Sequence, residues 1–181
     1  WRAVSSGEPF TQGRLDSERG NDKVVIVLTD GENTYYTPGS LGFGDPAESK
    51  SIYSAYGYLK PGYNGSTVGR LFSGTSSAIG QFDYSNANYT NALNEQLSML
   101  CTNAKAANVL VMTVSLDLST TNTTENAAIQ ALKKCSSDSR FRKDPTDASK
   151  PAKLFWNATG SNLAEKFKEI ADELSNLRIV G

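Results

Sequence analysis

The sequence predicts an α/β domain built on a mostly parallel sheet with flanking helices. Three observations carry that prediction. Lys23–Asp30 (KVVIVLTD) and Val109–Leu118 (VLVMTVSLDL) are continuous apolar runs rich in β-branched residues, the pattern of strands buried on both faces. Apolar residues recur at helical spacing around these runs and at the end of the chain. Strand-like and helix-like segments alternate, which favours parallel pairing through crossover helices.

Residues 1–22 are polar, with Gly7, Pro9, Gly13 and Gly20 interrupting any period, and read as a loop or the tail of an earlier element. The strand Lys23–Asp30 follows. Residues 31–89 read as a long insertion: every tyrosine of the chain falls between Tyr35 and Tyr89, and glycine is concentrated between Gly31 and Gly80. Loops of that length in compact domains are functional, disordered or locally structured. Tyrosine is a rigid amphipathic contact residue, so Tyr35, Tyr36, Tyr53, Tyr56 and Tyr58 are candidate partner-binding positions; the equally weighted alternative is that the tyrosines cover a core.

From Asn91 the pattern is regular. Leu93, Leu97, Leu100, Cys101 and Ala104 mark one helix face. After the Val109–Leu118 strand, Asn122 with Glu125 forms a capping-box pattern opening a helix through Ala128, Ile129 and Leu132. Lys133–Lys150 is charge-rich and reads as a solvated loop rather than a binding patch. Lys153–Ala158 (KLFWNA) is a third strand. Leu163, Phe167, Ile170, Leu174 and Leu177 then mark a closing helix, with Ser161 or Asn162 as its N-cap. The whole of 1–181 reads as a single domain, with 31–89 inserted in it.

Composition narrows the function. The chain of 181 residues has a formal net charge of -1, without the basic field of a nucleic-acid binder. Its longest aliphatic run, Val24–Leu28, is far short of the roughly 20 residues that span a bilayer. It contains no histidine, so Ser–His–Asp and Cys–His catalysis and histidine-ligated zinc are impossible within it. Cys101 and Cys135 form no CxxC pair. Two readings stay open: a disulfide, favoured because Cys135 lies in the polar stretch Lys133–Ser139, or two buried free thiols. Asn-x-Ser/Thr sequons at Asn64, Asn88, Asn122 and Asn157 are at chance level in a chain this rich in Asn, Ser and Thr.

The topology implies something further. If three parallel strands step across a sheet in one direction, right-handed crossovers place the connecting helices on one face and leave the other bare. The cover expected is an upstream half of the domain, the insertion, or a second copy in a homodimer. The opening on Trp1 and not Met fits a piece of a longer protein. A chain lacking its cover should dimerise, aggregate or require another fragment.

KVVIVLTDGEN (Lys23–Asn33), with its T-D-G turn, resembles the fourth strand of a von Willebrand factor A domain. VLVMTVSLDL and KLFWNATG resemble the fifth and sixth strands, and SNLAEKFKEIADELSNLRIV the last helix. The ordered set WRAVSSGEPF, VLTDGENTYY, LCTNAKAANVLVMTVSLDL, ALKKCSSD and ADELSNLRIV is more particularly similar to TadG-like proteins of Flp (Tad) pilus assembly. The resemblance implies the C-terminal part of a Rossmann-like A domain in an exported bacterial protein of the periplasm, outer membrane or cell surface, whose parent carries a membrane anchor. It implies a disulfide between Cys101 and Cys135. It also implies a metal-ion-dependent adhesion site holding Mg2+ at the C-terminal ends of the strands. Of the family's ligands only the T-D-G aspartate, Asp30, maps here; an Asp-x-Ser-x-Ser motif is absent and would precede Trp1, and nothing in the motif makes Glu32 a ligand. The other reading of Asp30 is a strand-ending turn cap.

The function expected is therefore a non-enzymatic protein-interaction or adhesion module of pilus assembly, engaging a pilus or envelope protein or a surface. The alternative is an A-domain subunit of a metal-chelatase-like or motor-associated enzyme complex. A third, remote reading is a hydrolase using Asp30 and Asp117.

Overall fold

The computed structural model describes residues 2–8, 10–15, 17–18, 20–31, 33, 53–54, 57–58, 70–76, 78–79 and 86–180. After a 3₁₀ turn at Arg2–Val4 come β1 (Lys23–Thr29), β2 (Tyr53–Ser54), β3 (Gly57–Tyr58) and a second 3₁₀ turn at Arg70–Phe72. These are followed by α1 (Asn86–Ala106), β4 (Val109–Leu116), α2 (Thr123–Cys135), β5 (Asp138–Lys143), β6 (Pro151–Lys153), β7 (Phe155–Ala158) and α3 (Leu163–Val180). The chain divides into two compact units, Trp1–Glu32 with Leu100–Gly181, and Asn33–Met99.

The first unit is α/β. Its sheet runs β1-β4-β7, both pairings parallel, with Lys23 opposite Val109, Thr29 opposite Ser115 and Val114 opposite Trp156. β4 is central and buried from Val109 through Ser115, as its unbroken apolar run requires. Its alternating side chains face two layers. Leu110, Met112 and Val114 pack with Leu154, Trp156 and Ala158 against Ile170 and Leu177 of α3, each large apolar side chain contributing about 1.5–3 kcal/mol when fully buried. On the other face Thr113 donates its hydroxyl to the Leu132 carbonyl of α2 at 2.9 Å. So α2 and α3 lie on opposite faces, and the face expected to be bare is covered over β4 and β7 by the closing helix.

Cover stops short of β1, and this corrects the expectation that Lys23–Asp30 is buried on both faces. Parallel register puts Val24, Ile26 and Leu28 on the face of Leu110, Met112 and Val114. Val24 joins that core, but Ile26 is 42 % and Leu28 49 % exposed. The reason is lateral position: α3 sits over β4 and β7, and β1 is the strand beyond it. The strand also ends at Thr29, and β4 ends at Leu116, where Asp117 takes a left-handed φ of 55°.

The charged stretch Lys133–Lys150 is not a solvated loop. It holds the C-terminal turn of α2 and the antiparallel hairpin β5–β6, which also claims Lys153 from the predicted third strand. Two Asx turns shape its tip: Asp144 accepts from Thr146 N and Oγ1 at 2.8 and 2.6 Å, and Asp147 from Ser149 N and Oγ at 3.1 and 2.6 Å. Hydrogen bonds to Asp144, from Thr146 above all, and to Asp147, from Lys150 above all, hold both carboxyls below their ordinary pKa.

α2 opens as its capping pattern predicts. The Asn122 side chain accepts from Thr124 N and Glu125 N at 3.0 and 3.2 Å, the N-cap half of the box, while Glu125 accepts from Ser119 N at 2.6 Å, three residues before the N-cap. Asn122→Ala should lower stability by about 1 kcal/mol in urea denaturation, and Asn122→Asp should leave it near wild type. At α3, Asn162 lies just before the helix and its carbonyl accepts from Lys166 N at 3.1 Å, but its side chain turns back to Thr159 N at 2.7 Å.

The second unit has its own small core of Leu71, Phe72, Ile79, Tyr89 and Ala92, with Leu93 packed against it. The Phe72 and Tyr89 rings lie 5.8 Å apart. Gln96 donates to the Leu71 and Ser73 carbonyls, both at 2.9 Å, and Glu95 accepts from Ser76 N at 2.7 Å. The insertion is thus locally structured where it is described, and α1 begins at Asn86, earlier than the periodicity indicates. One predicted core position of that helix is corrected: Leu100 is 48 % exposed, while Cys101 and Ala104 are buried.

Candidate functional site

In a parallel sheet every strand delivers its next residue to the same end, and that end is where such folds usually bind ligands. Here the C-terminal rim carries Asp30 after β1, Asp117 after β4 and the Thr159–Asn162 turn after β7. The pairing of Thr29 with Ser115 fixes Asp30 and Asp117 on neighbouring strand ends.

The side chains around Asp30 are occupied with the backbone. Thr29 Oγ1 donates to the Gly31 carbonyl at 3.1 Å and accepts from Gly31 N at 3.3 Å, which closes the T-D-G turn. Asp30 itself is exposed. Asp117 does anchoring work: its carboxylate accepts from Gly160 N at 3.0 Å, its own N–H donates to the Ala158 carbonyl at 2.8 Å, and Ser115 Oγ donates to Asn157 Oδ1 at 2.9 Å. These bonds tie the end of β4 to the end of β7 and set the entry to α3.

Magnesium prefers an octahedral shell of oxygens. Among the described residues no group of three or more His, Cys, Asp or Glu side chains is placed to hold a metal ion. Asp30, with Asp117 bonded to backbone and the Thr29 hydroxyl turned into its own loop, does not make such a shell. Glu32 lies outside the described residues.

The other predicted positions separate into three groups. Cys101 on α1 and Cys135 at the end of α2 are brought together, their sulfurs 1.96 Å apart in a disulfide that both helices bury. Tyr53 and Tyr58 are register partners in the β2–β3 pair. Tyr35, Tyr36 and Tyr56 lie outside the described residues.

The feature that sequence reasoning missed is an apolar strip on the α3 face of the sheet. Ile26 and Leu28 form it. On α3, Lys166, Glu169 and Glu173 occupy the flank toward β7 and the hairpin, where Glu169 accepts from Trp156 Nε1 and Glu173 from Arg142 Nε. At 100° per residue, Phe167 and Leu174 fall on the flank opposite Glu169. Phe167 is 41 % exposed. The periodicity of α3 includes Phe167, but only the sheet order places β1 outside β4 and β7, where Ile26 and Leu28 stay exposed.

No helix among the described residues is long and apolar enough to cross a membrane. Comparison with protein-family models, curated proteins and solved structures finds no match for this chain.

Proposed function

We propose that the chain is a non-enzymatic protein-interaction module of the exported pilus-assembly class that its sequence resembles, a TadG-like A domain. The observation that carries the reading is the strip of Ile26 and Leu28 on one face of β1, large apolar side chains left two-fifths or more exposed. Clustered exposed apolar surface marks interaction sites, and a strip on an outer strand suits an apolar helix or a further layer of the same domain. The absence of histidine and the use of Asp117 as a backbone anchor favour binding over hydrolysis. The disulfide favours an exported module over the chelatase-like alternative, since disulfides persist in oxidising compartments. In this reading magnesium joins Asp30 only with ligands supplied by other residues.

The test is Leu28→Glu in the producing bacterium. The side chain is half exposed, so the variant should accumulate and melt like wild type. A charge placed in an apolar contact should cut pilus-dependent adherence at least about tenfold, the effect of losing 1.4 kcal/mol of binding. Wild-type pilus assembly and adherence in both Leu28→Glu and Ile26→Glu would sink the proposal.

A further inference from the structure

At the opposite pole of the α/β unit, where β4 and β5 begin, lies an open cleft of about 230 Å³. Lys105, Asn108, Val109, Ser137, Asp138 and Arg140 line it. Asp117, at the candidate rim, stands eight residues further along the chain from Val109, about 26 Å of strand. The two places are independent.

We propose that this cleft is an anion site that receives a carboxylate from an acidic segment of a partner protein. Lys105 from the last turn of α1 and Arg140 from β5 line it, and the charges of Lys134 and Lys153 lie near Lys105 from the end of α2 and the hairpin. Two carboxylates already dock at its margins, Asp138 on Lys153 Nζ at 2.7 Å and Asp22 on Arg140 Nη1 at 3.0 Å. They show the chemistry the cluster accepts and still leave it cationic. The Lys105 ammonium donates to the Lys134 carbonyl at 3.0 Å and keeps two further N–H donors. Burial, then the nearby charge of Lys153, opposed by Asp138 and reinforced by Lys134, holds the Lys105 pKa below its ordinary value. An incoming anion relieves that crowding.

Size selects the ligand. Sites for whole small molecules run to roughly 300–1,000 Å³, so this cleft takes one compact group. The Asn108 amide and the guanidinium edge of Arg140 add donors suited to a planar carboxylate. The apolar Val109 in the lining suits the methylenes of a glutamate better than a hydrated phosphate.

The test titrates the intact chain with acetyl-triglutamate amide and follows NMR shifts at low and at physiological ionic strength, with inorganic phosphate as a second probe. Saturable shifts should centre on Lys105, Asn108 and Arg140. Affinity should fall about tenfold in Lys105→Met and in Arg140→Gln, the loss of one charge-assisted contact, and stay at wild type in Lys105→Arg and in the control Lys168→Met. Melting curves of all four variants show whether the fold is intact, and Lys105→Arg separates loss of charge from loss of packing. Unsaturable shifts spread over surface lysines, or an equal loss in Lys168→Met, would overturn the site as mere screening. Binding of phosphate with none of the peptide would overturn the carboxylate assignment.

Discussion

Replacing both Cys101 and Cys135 by alanine should lower the unfolding free energy by about 3–4 kcal/mol, the chain-entropy value for a cross-link spanning 34 residues. The bond joins the last third of α1 to the last residue of α2, and the loop it closes contains β4, the central strand. Without it the unfolded chain gains freedom, while the folded unit keeps the contacts of β4 with α3 on the other face. The expected signature is therefore a lower denaturation midpoint with native circular dichroism in buffer. Dithiothreitol on the wild type should produce the same shift, and should do nothing to the double variant. Coincident wild-type and variant curves would mean that helix packing alone holds α1 to α2.

Much of this arrangement is legible because it depends on periodicity. Val109–Leu116 has the unbroken apolar run of a doubly covered strand, and Asn122 with Glu125 announces the start of α2. The same reasoning fails at β1 for a definite cause. KVVIVLT is as apolar as β4, but apolar character reports only that a face seeks cover, and which strand receives cover is decided by sheet order. Leu28 and Met112 look alike in sequence; one is 49 % exposed and the other fully buried because α3 lies over one strand and not the other.

The hairpin β5–β6 escapes notice for the opposite reason. Its strands, DSRFRK and PAK, are charged, and charge density reads as solvent exposure. The available signals are short-range: Asp144 and Asp147 each precede a hydroxyl residue by two positions, the spacing of an Asx turn. Of the candidate sites, Asp30 is legible from its T-D-G turn. The cleft around Lys105 is not, because its lining comes from α1, β4 and β5, which no local pattern connects.

What fixes that charged hairpin to the domain predicts the second large effect: Glu173→Ala should cost about 3 kcal/mol, or a fall of roughly 6–12 °C in Tm for a chain of this size. Glu173 is a charged residue only 2 % exposed on the inner flank of α3. It accepts from Ser139 Oγ at 2.6 Å and from Arg142 Nε at 2.9 Å. Ser139 Oγ also accepts from Phe141 N and Arg142 N, at 3.1 and 2.8 Å, and so shapes the irregular part of β5 where the register with β6 shifts. The Arg142 guanidinium lies over the Trp156 ring, 5.0 Å from its centroid, and Trp156 donates to Glu169, whose carboxyl is held below its usual pKa first by the hydrogen bond from Lys166. Alanine at position 173 leaves Ser139 and Arg142 without their acceptor in a half-buried setting. Because Arg142 keeps 39 % of its side chain in solvent, the loss belongs at the low end of the range for broken buried pairs. Glu173→Gln retains an acceptor and should cost less, about 1–2 kcal/mol. In a double-mutant cycle Glu173→Ala and Arg142→Ala should be non-additive by at least about 1 kcal/mol, since each removes the same contact. Replacing both by leucine, with apolar volume in place of the pair, should recover most of the stability, as buried ion pairs are often no better than well-packed apolar side chains. Strict additivity of the two alanine variants would show that the hairpin is held by packing around Leu154 and Trp156, with the ion pair incidental.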